Sequence, residues 1–137
     1  MKNIDHIGIA VKDIKTANHL YEKLLGKPPY KLEEVSDQNV LTSFFQIGES
    51  KVELLQATSE DSSIAKFIEK RGEGIHHLAF EVDDIEATMK EMEEKGFRLL
   101  YPRPRPGADG KLINFIHPKD ANGVLIEICM SVAKDPT

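Results

Sequence analysis

The sequence predicts an α+β fold made of two tandem βαβββ modules. Three observations predict it. The opening run Asp5-His6-Ile7-Gly8-Ile9-Ala10-Val11-Lys12-Asp13-Ile14 recurs as His76-His77-Leu78-Ala79-Phe80-Glu81-Val82-Asp83-Asp84-Ile85 when both are aligned on Val-x-Asp-Ile. The closing run Lys51-Val52-Glu53-Leu54-Leu55 likewise recurs as Leu125-Ile126-Glu127-Ile128-Cys129. Between these runs each half carries one stretch of helical periodicity followed by strand-like stretches. A single module of roughly 65 residues buries too little surface to be comfortable alone. The 137 residues therefore read as one domain, 1–137. Its modules span 3–57 and 74–131, joined by a short helix at 62–71.

Each element has a local reason. Ile4 to Val11 is short and β-branched, which favours a strand. Asp13 is placed to N-cap a helix carrying Ile14, Ala17, Leu20, Tyr21, Leu24 and Leu25, and Gly26 stops it. Pro28-Pro29 forces extended chain before a strand over 30–35, and Ser36-Asp37-Gln38-Asn39 is a turn. Strands at 40–47 and 51–56 follow, joined by Gly48-Glu49-Ser50. Ile64, Phe67 and Ile68 mark the linking helix, which ends at Arg71-Gly72-Glu73-Gly74. The second module repeats the order: a strand over 75–82, then a helix capped by Asp84 and stopped near Gly96. A strand over 97–101, a Pro-rich loop over 102–110 and strands over 112–116 and 123–130 complete it. The last residues, Lys134-Asp135-Pro136-Thr137, read as a frayed tail.

Composition excludes several function classes. The chain is 40% hydrophobic and 30% charged, as globular proteins are, with a net charge of -5. That charge argues against a nucleic-acid partner or an anionic membrane surface. No apolar run approaches the roughly 20 residues that cross a bilayer, and the start carries no apolar signal-peptide segment. A cytoplasmic location is the expectation. One cysteine, Cys129, precludes an intrachain disulfide and reads as a buried, inert thiol.

The repeat also pairs residues that carry chemistry. His6 falls on His77, and Glu53 falls on Glu127. A lone strand histidine or glutamate is most simply a surface or hydrogen-bonded residue. Two matched pairs, brought together by a pseudo-twofold axis, describe a metal site instead. Imidazole nitrogen and carboxylate oxygen together suit a divalent first-row ion. Four ligands leave about two of six positions free for substrate or water. The predicted metal ligands are His6, Glu53, His77 and Glu127. Strand alternation sends the neighbouring His76 to the opposite face, so it reads as structural or supporting, and the repeat aligns it with Asp5. His19 reads as solvated, and His117 as a loop residue.

Further stretches carry a more specific likeness. They are Ser63-Ile64-Ala65-Lys66-Phe67-Ile68, Gly72 to Ile85 with its His76-His77 pair, Pro104 to Lys111, Phe115-Ile116-His117-Pro118-Lys119 and Gly123-Val124-Leu125-Ile126-Glu127. With the His…Glu…His…Glu order of the paired modules, the chain resembles the vicinal oxygen chelate superfamily, and within it the methylmalonyl-CoA epimerase family. The resemblance implies an eight-stranded open cup around a divalent metal. Cobalt is the first expectation, with manganese, nickel or zinc as alternatives. It implies His6, Glu53, His77 and Glu127 as ligands, a homodimer, and an acyl-CoA thioester substrate. It also implies interconversion of (2R)- and (2S)-methylmalonyl-CoA through a metal-stabilised enolate, with Glu127 as one acid/base. Thr42 stands where some members carry a glutamate proposed as the second base, and Glu34 or a water held by Thr42 remain open for that task. Arg103, Arg105, Lys111 and Lys119 are candidate phosphate contacts. A glyoxalase I-like isomerase of a glutathione adduct, and a small-molecule-binding resistance protein of the same fold, remain the alternatives.

Overall fold

Local caps decide where the helices begin. In a computed structural model of the chain, which describes residues 1–132, Asp13 accepts from Lys15 N at 3.3 Å and from Thr16 Oγ1 at 2.6 Å, starting α1 (Ile14–Leu25). Gly26, at φ +76°, closes α1 in the left-handed conformation that glycine adopts without strain. Asp84 repeats the device for α3 (Ile85–Glu94), accepting from Ala87 N at 3.0 Å. Ser62 caps the linking helix α2 (Ser63–Arg71).

The strands form one curled, eight-stranded mixed sheet. They are β1 (Asn3–Ala10), β2 (Lys31–Val35), β3 (Val40–Ile47), β4 (Ser50–Ala57), β5 (Gly74–Glu81), β6 (Arg105–Pro106), β7 (Lys111–Ile116) and β8 (Ile126–Ser131). Their spatial order is β2-β3-β4-β1-β5-β8-β7-β6. Within each half the first strand runs parallel to the last, β1 to β4 and β5 to β8. The halves meet where β1 and β5 pair antiparallel at the centre. The order is thus symmetric about the β1–β5 seam, which brings the two first-strand histidines onto neighbouring strands.

The core follows the same symmetry. Ile14 and Ala17 of α1 pack with Val11, Phe45 and Leu54, and Ile85 and Met89 of α3 pack with Val82 and Ile128. On the other side of the sheet Ala10, Val35, Val40, Leu55 and Ile64 pack together, matched by Ala79, Ile113, Phe115 and Cys129. Burying each Val, Leu, Ile, Phe or Met side chain among these is worth about 1.5–3 kcal/mol. The ends of the sheet are also tied. Asp109, from the loop after β6, meets Lys31 Nζ at 2.6 Å and Tyr30 Oη at 3.2 Å, and its N–H donates to Glu33 Oε1 at 3.0 Å.

The second module departs from expectation at one strand. Residues 97–101 run beside β7 and exchange two ladder bonds with it, His117 N to Arg98 O and Leu100 N to Phe115 O, both 2.8–2.9 Å. Only Leu99 and Ile116 form a bridge. The buried Asn114 side chain takes both the N–H and the carbonyl of Tyr101, at 3.2 and 3.0 Å, and so replaces the ladder there. The short strand β6 falls instead inside the expected loop. The turn at 36–39 contains a 3-10 turn over Ser36–Gln38. The expected tail, Lys134 to Thr137, lies outside the described residues. Among the described residues no helix is long and apolar enough to cross a membrane.

Candidate metal centre

Both first strands deliver an imidazole to the seam. His6 Nε2 and His77 Nε2 approach to 3.0 Å, their rings nearly perpendicular. Glu127, from β8, lies 3.4 Å from each of those nitrogens. His6, His77 and Glu127 thereby offer three ligand atoms within 4.8 Å of one another. Glu53, from β4, sits against the other side of the His6 ring, with Oε2 3.2 Å from Nδ1. Three of the four predicted residues converge, and the fourth touches the first of them. All four are 4–5% exposed.

Such a cluster is electrostatically demanding without a cation. Burial pushes Glu127 up to about 7, with Glu53 and Asp5 adding to it and His6 opposing. Burial also raises Glu53. Burial alone lowers the imidazole of His6, but the carboxylates of Glu127, Glu53 and Asp5 outweigh it and lift His6 to about 9. His77 is held well below its usual value by burial and by the neighbouring His6 and His76. Two buried imidazoles and two buried carboxylates around one point fit a divalent first-row ion. One consequence is measurable in metal-free protein. His6 retains its proton in the folded state up to about pH 9, whereas the unfolded chain releases it near 6.5. The stability from this proton is full below pH 6.5 and is lost as the pH rises to about 9. Melting temperatures of chelator-treated protein are expected to fall across that window, and added zinc to flatten the slope.

Comparison with known proteins decides the family. Residues 5–115 match the model of the Glyoxalase/Bleomycin resistance protein/Dioxygenase superfamily. The chain belongs to this superfamily. Within it, the chain is 39% identical to the ethylmalonyl-CoA/methylmalonyl-CoA epimerase of Cereibacter sphaeroides, over 91% of this chain and 95% of that one. It is 36% identical to the mitochondrial methylmalonyl-CoA epimerase of Homo sapiens, over 91% of this chain and 72% of the human one. A structure of Streptomyces coelicolor methylmalonyl-CoA epimerase in complex with 2-nitronate-propionyl-CoA superimposes with a TM-score of 0.93, at 39% identity, covering 97% and 99% of the two chains. The methylmalonyl-CoA epimerases are thus the branch of the superfamily to which this chain is similar along most of its length.

As in a superfamily cup, the cluster lies in an open cavity, here of about 140 Å³. One wall is Val35, Val40, Leu55 and Ile64 from the first half; the other is Leu100, Tyr101, Ile113, Phe115 and Leu125 from the second. Gly8 sets the space at the floor. A Cβ added there would clash with His77 Cε1, so the His77 ring lies directly on the glycine backbone. Gly8→Ala is expected to displace that ring and to weaken divalent-metal binding by at least about 10-fold, as does disturbing a ligand's orientation elsewhere. Isothermal titration with zinc measures it.

Several side chains differ from their sequence reading. His76 does not turn to the opposite face. It is the extra residue of a β-bulge, with Gly8 opposite His77 and Ile9 opposite Ile75. It lines the cavity and touches His77, Nδ1 to Nδ1, at 2.9 Å. Lys111 is no free phosphate contact. It is buried, and its ammonium donates to Asp5 Oδ1 and Ser131 Oγ, both at 3.2 Å. Arg103, Arg105 and Lys119 are exposed, with the Arg105 guanidinium 3.8 Å from the Tyr101 ring centre. Glu34 is exposed and away from the cavity lining, whereas Thr42 lines it. Thr42 Oγ1 is buried and is the one buried side-chain oxygen or nitrogen without a partner among the described residues. His19 is exposed, and His117 accepts from Lys119 N in a loop turn, both as expected. Cys129 is buried, and burial pushes its thiol far up, as expected for an inert side chain. Asp5 went unnoticed in the sequence except as the partner of His76 in the repeat. It accepts from His6 Nδ1 at 2.7 Å and pairs with Lys51 at 3.4 Å and Lys111.

Proposed function

We propose that this protein interconverts (2R)- and (2S)-methylmalonyl-CoA, using a divalent metal held by His6, Glu53, His77 and Glu127. The observation that carries the proposal is the buried meeting of His6, His77 and Glu127 at the floor of an open cavity. The epimerase relatives named above supply the substrate class. A divalent cation at this position supplies Lewis-acid stabilisation of the negative charge that develops when the α-proton leaves. The residues do the rest. His6 and His77 hold the centre through Nε2, each oriented from its other nitrogen. Glu53, which lies against His6 Nδ1, would complete the donor set. Glu127 takes the α-proton from one face of the substrate and returns it in the reverse direction. Burial, which raises its affinity for a proton, suits that task. Among the described residues, Glu53 and Glu127 are the only carboxylates lining the cavity, so no further carboxylate is at hand for the second face. The unpartnered Thr42 hydroxyl is there to hold a water that exchanges protons with the second face.

The apolar walls would enclose the methylmalonyl group, and the exposed Arg103, Arg105 and Lys119 are the candidate contacts for the anionic coenzyme tail. We take cobalt as the native ion, a homodimer as the assembly and the cytoplasm as the location, in line with the family resemblance. The deciding experiment incubates metal-loaded protein with (2R)-methylmalonyl-CoA in deuterated water and follows it by NMR. Deuterium enters the α-carbon as the two epimers equilibrate. Unchanged substrate, together with conversion of methylglyoxal in the presence of glutathione, would favour the glyoxalase-type alternative.

A further inference from the structure

Both first strands carry a second matched feature, one that the ligand set does not use. In each, the residue just before the histidine is the extra member of a β-bulge. Asp5 is extra on β1, between the pairs Ile4–Phe80 and His6–Ala79. His76 is extra on β5, between His77–Gly8 and Ile75–Ile9. A bulge residue escapes strict alternation and can be aimed afresh. Both are aimed at the adjoining imidazole: Asp5 Oδ2 lies 2.7 Å from His6 Nδ1, and His76 Nδ1 lies 2.9 Å from His77 Nδ1. The two partners differ in chemistry. One is a carboxylate fixed by Lys51 and Lys111. The other is a second imidazole, set edge-on against Phe67 of α2 at 5.0 Å.

The imidazole pair has a defined hydrogen count. His77 Nε2 points at His6 and Glu127, so it is the ligating end. A neutral imidazole that ligates through Nε2 carries its hydrogen on Nδ1. Two Nδ1 atoms in contact share one hydrogen, so His76 Nδ1 must accept and His76 must carry its own hydrogen on Nε2. Among the described residues His76 Nε2 has no protein partner, yet it is not among the buried unpartnered atoms, so it reaches accessible space. His76 lines the cavity.

We propose that His76 is a positioning residue that sets the tautomer of His77 for metal ligation and, through the same chain, presents its own Nε2–H as a neutral hydrogen-bond donor at the cavity wall. The chemistry that meets this donor is an acceptor oxygen of the substrate, a thioester carbonyl or a carboxylate. The inference rests on His77 being a ligand. It makes the two imidazoles unequal: His6 is backed by an anion, His77 by a neutral ring.

The test uses zinc as the probe and the full chain. In 15N-histidine-labelled, zinc-loaded protein, two-bond proton–nitrogen correlation spectra are expected to show His77 with hydrogen on Nδ1 and His76 with hydrogen on Nε2 alone. A His76 that carries its hydrogen on Nδ1, or that interchanges tautomers, overturns the proposal. By calorimetry, His76→Phe, which keeps a ring against Phe67 but offers no acceptor, is expected to weaken zinc binding about 10–100-fold. His76→Asn, whose carbonyl oxygen can stand near the Nδ1 position, is expected to restore it. Parental zinc affinity in His76→Phe, with binding lost in His77→Ala, overturns the positioning role alone. Parental affinity in His77→Ala overturns the ligand assignment beneath it.

Discussion

His77→Ala is expected to leave purified protein with a metal content near zero, and methylmalonyl-CoA turnover is expected to vanish with it. The ring is buried on the bare backbone of Gly8, 3.0 Å from His6 Nε2 and edge-on to Phe115. Alanine removes the nitrogen that faces His6 and Glu127, and the adjacent His76 meets the ring at Nδ1, its far side from them. Losing only an outer hydrogen-bond partner of a ligand costs about 10–100-fold in metal affinity, so losing the ligand exceeds that. The metal-free fold should tolerate the change better than the site does, because His77 is a desolvated polar group there, although its edge contact with Phe115 is also lost. Elemental analysis beside a melting curve separates the two effects. Full metal occupancy in His77→Ala would make His76 the ligand of the adjacent pair.

Glu127→Gln has the second large effect, and on a different quantity. The amide keeps an oxygen that can face the metal but accepts no proton. Turnover is therefore expected to fall by about 10²–10⁴-fold, the usual contribution of a placed acid/base, while metal content falls far less. Deuterium entry at the α-carbon is expected to fall in parallel. Parental exchange in this variant would assign the proton transfer to another group. The contrast with His77→Ala is the informative part: one variant removes the metal, the other removes the base beside it.

Much of this was legible in the sequence because the chain repeats itself. The caps at Asp13 and Asp84 and the stop at Gly26 use local chemistry, and local chemistry survives folding unchanged. The pairing of His6 with His77 and of Glu53 with Glu127 needed only the internal alignment. What escaped depends on departures from period two or on contacts between distant parts of the chain. Alternation misplaces His76, because a bulge breaks alternation at that residue. The Asn114 amide takes over the backbone of Tyr101 and so dissolves an expected strand. Lys111 looked free in a Pro-rich loop, yet its ammonium crosses to Asp5 on β1. Thr42 stands out through the family resemblance, but only the fold shows its hydroxyl buried and unpartnered in the cavity wall. The matched placement of Asp5 and His76 was a signal available in the sequence, since the repeat aligns an acid with a histidine just before each ligand.

The metal centre itself is tested most directly by a crystal structure of cobalt-loaded protein with anomalous differences recorded at the cobalt edge. One peak is predicted at the seam of β1 and β5, about 2.0–2.2 Å from Nε2 of His6 and of His77 and from a carboxylate oxygen of Glu53 and of Glu127. An absent peak, or cobalt bound elsewhere with these four side chains apart, would contradict the account.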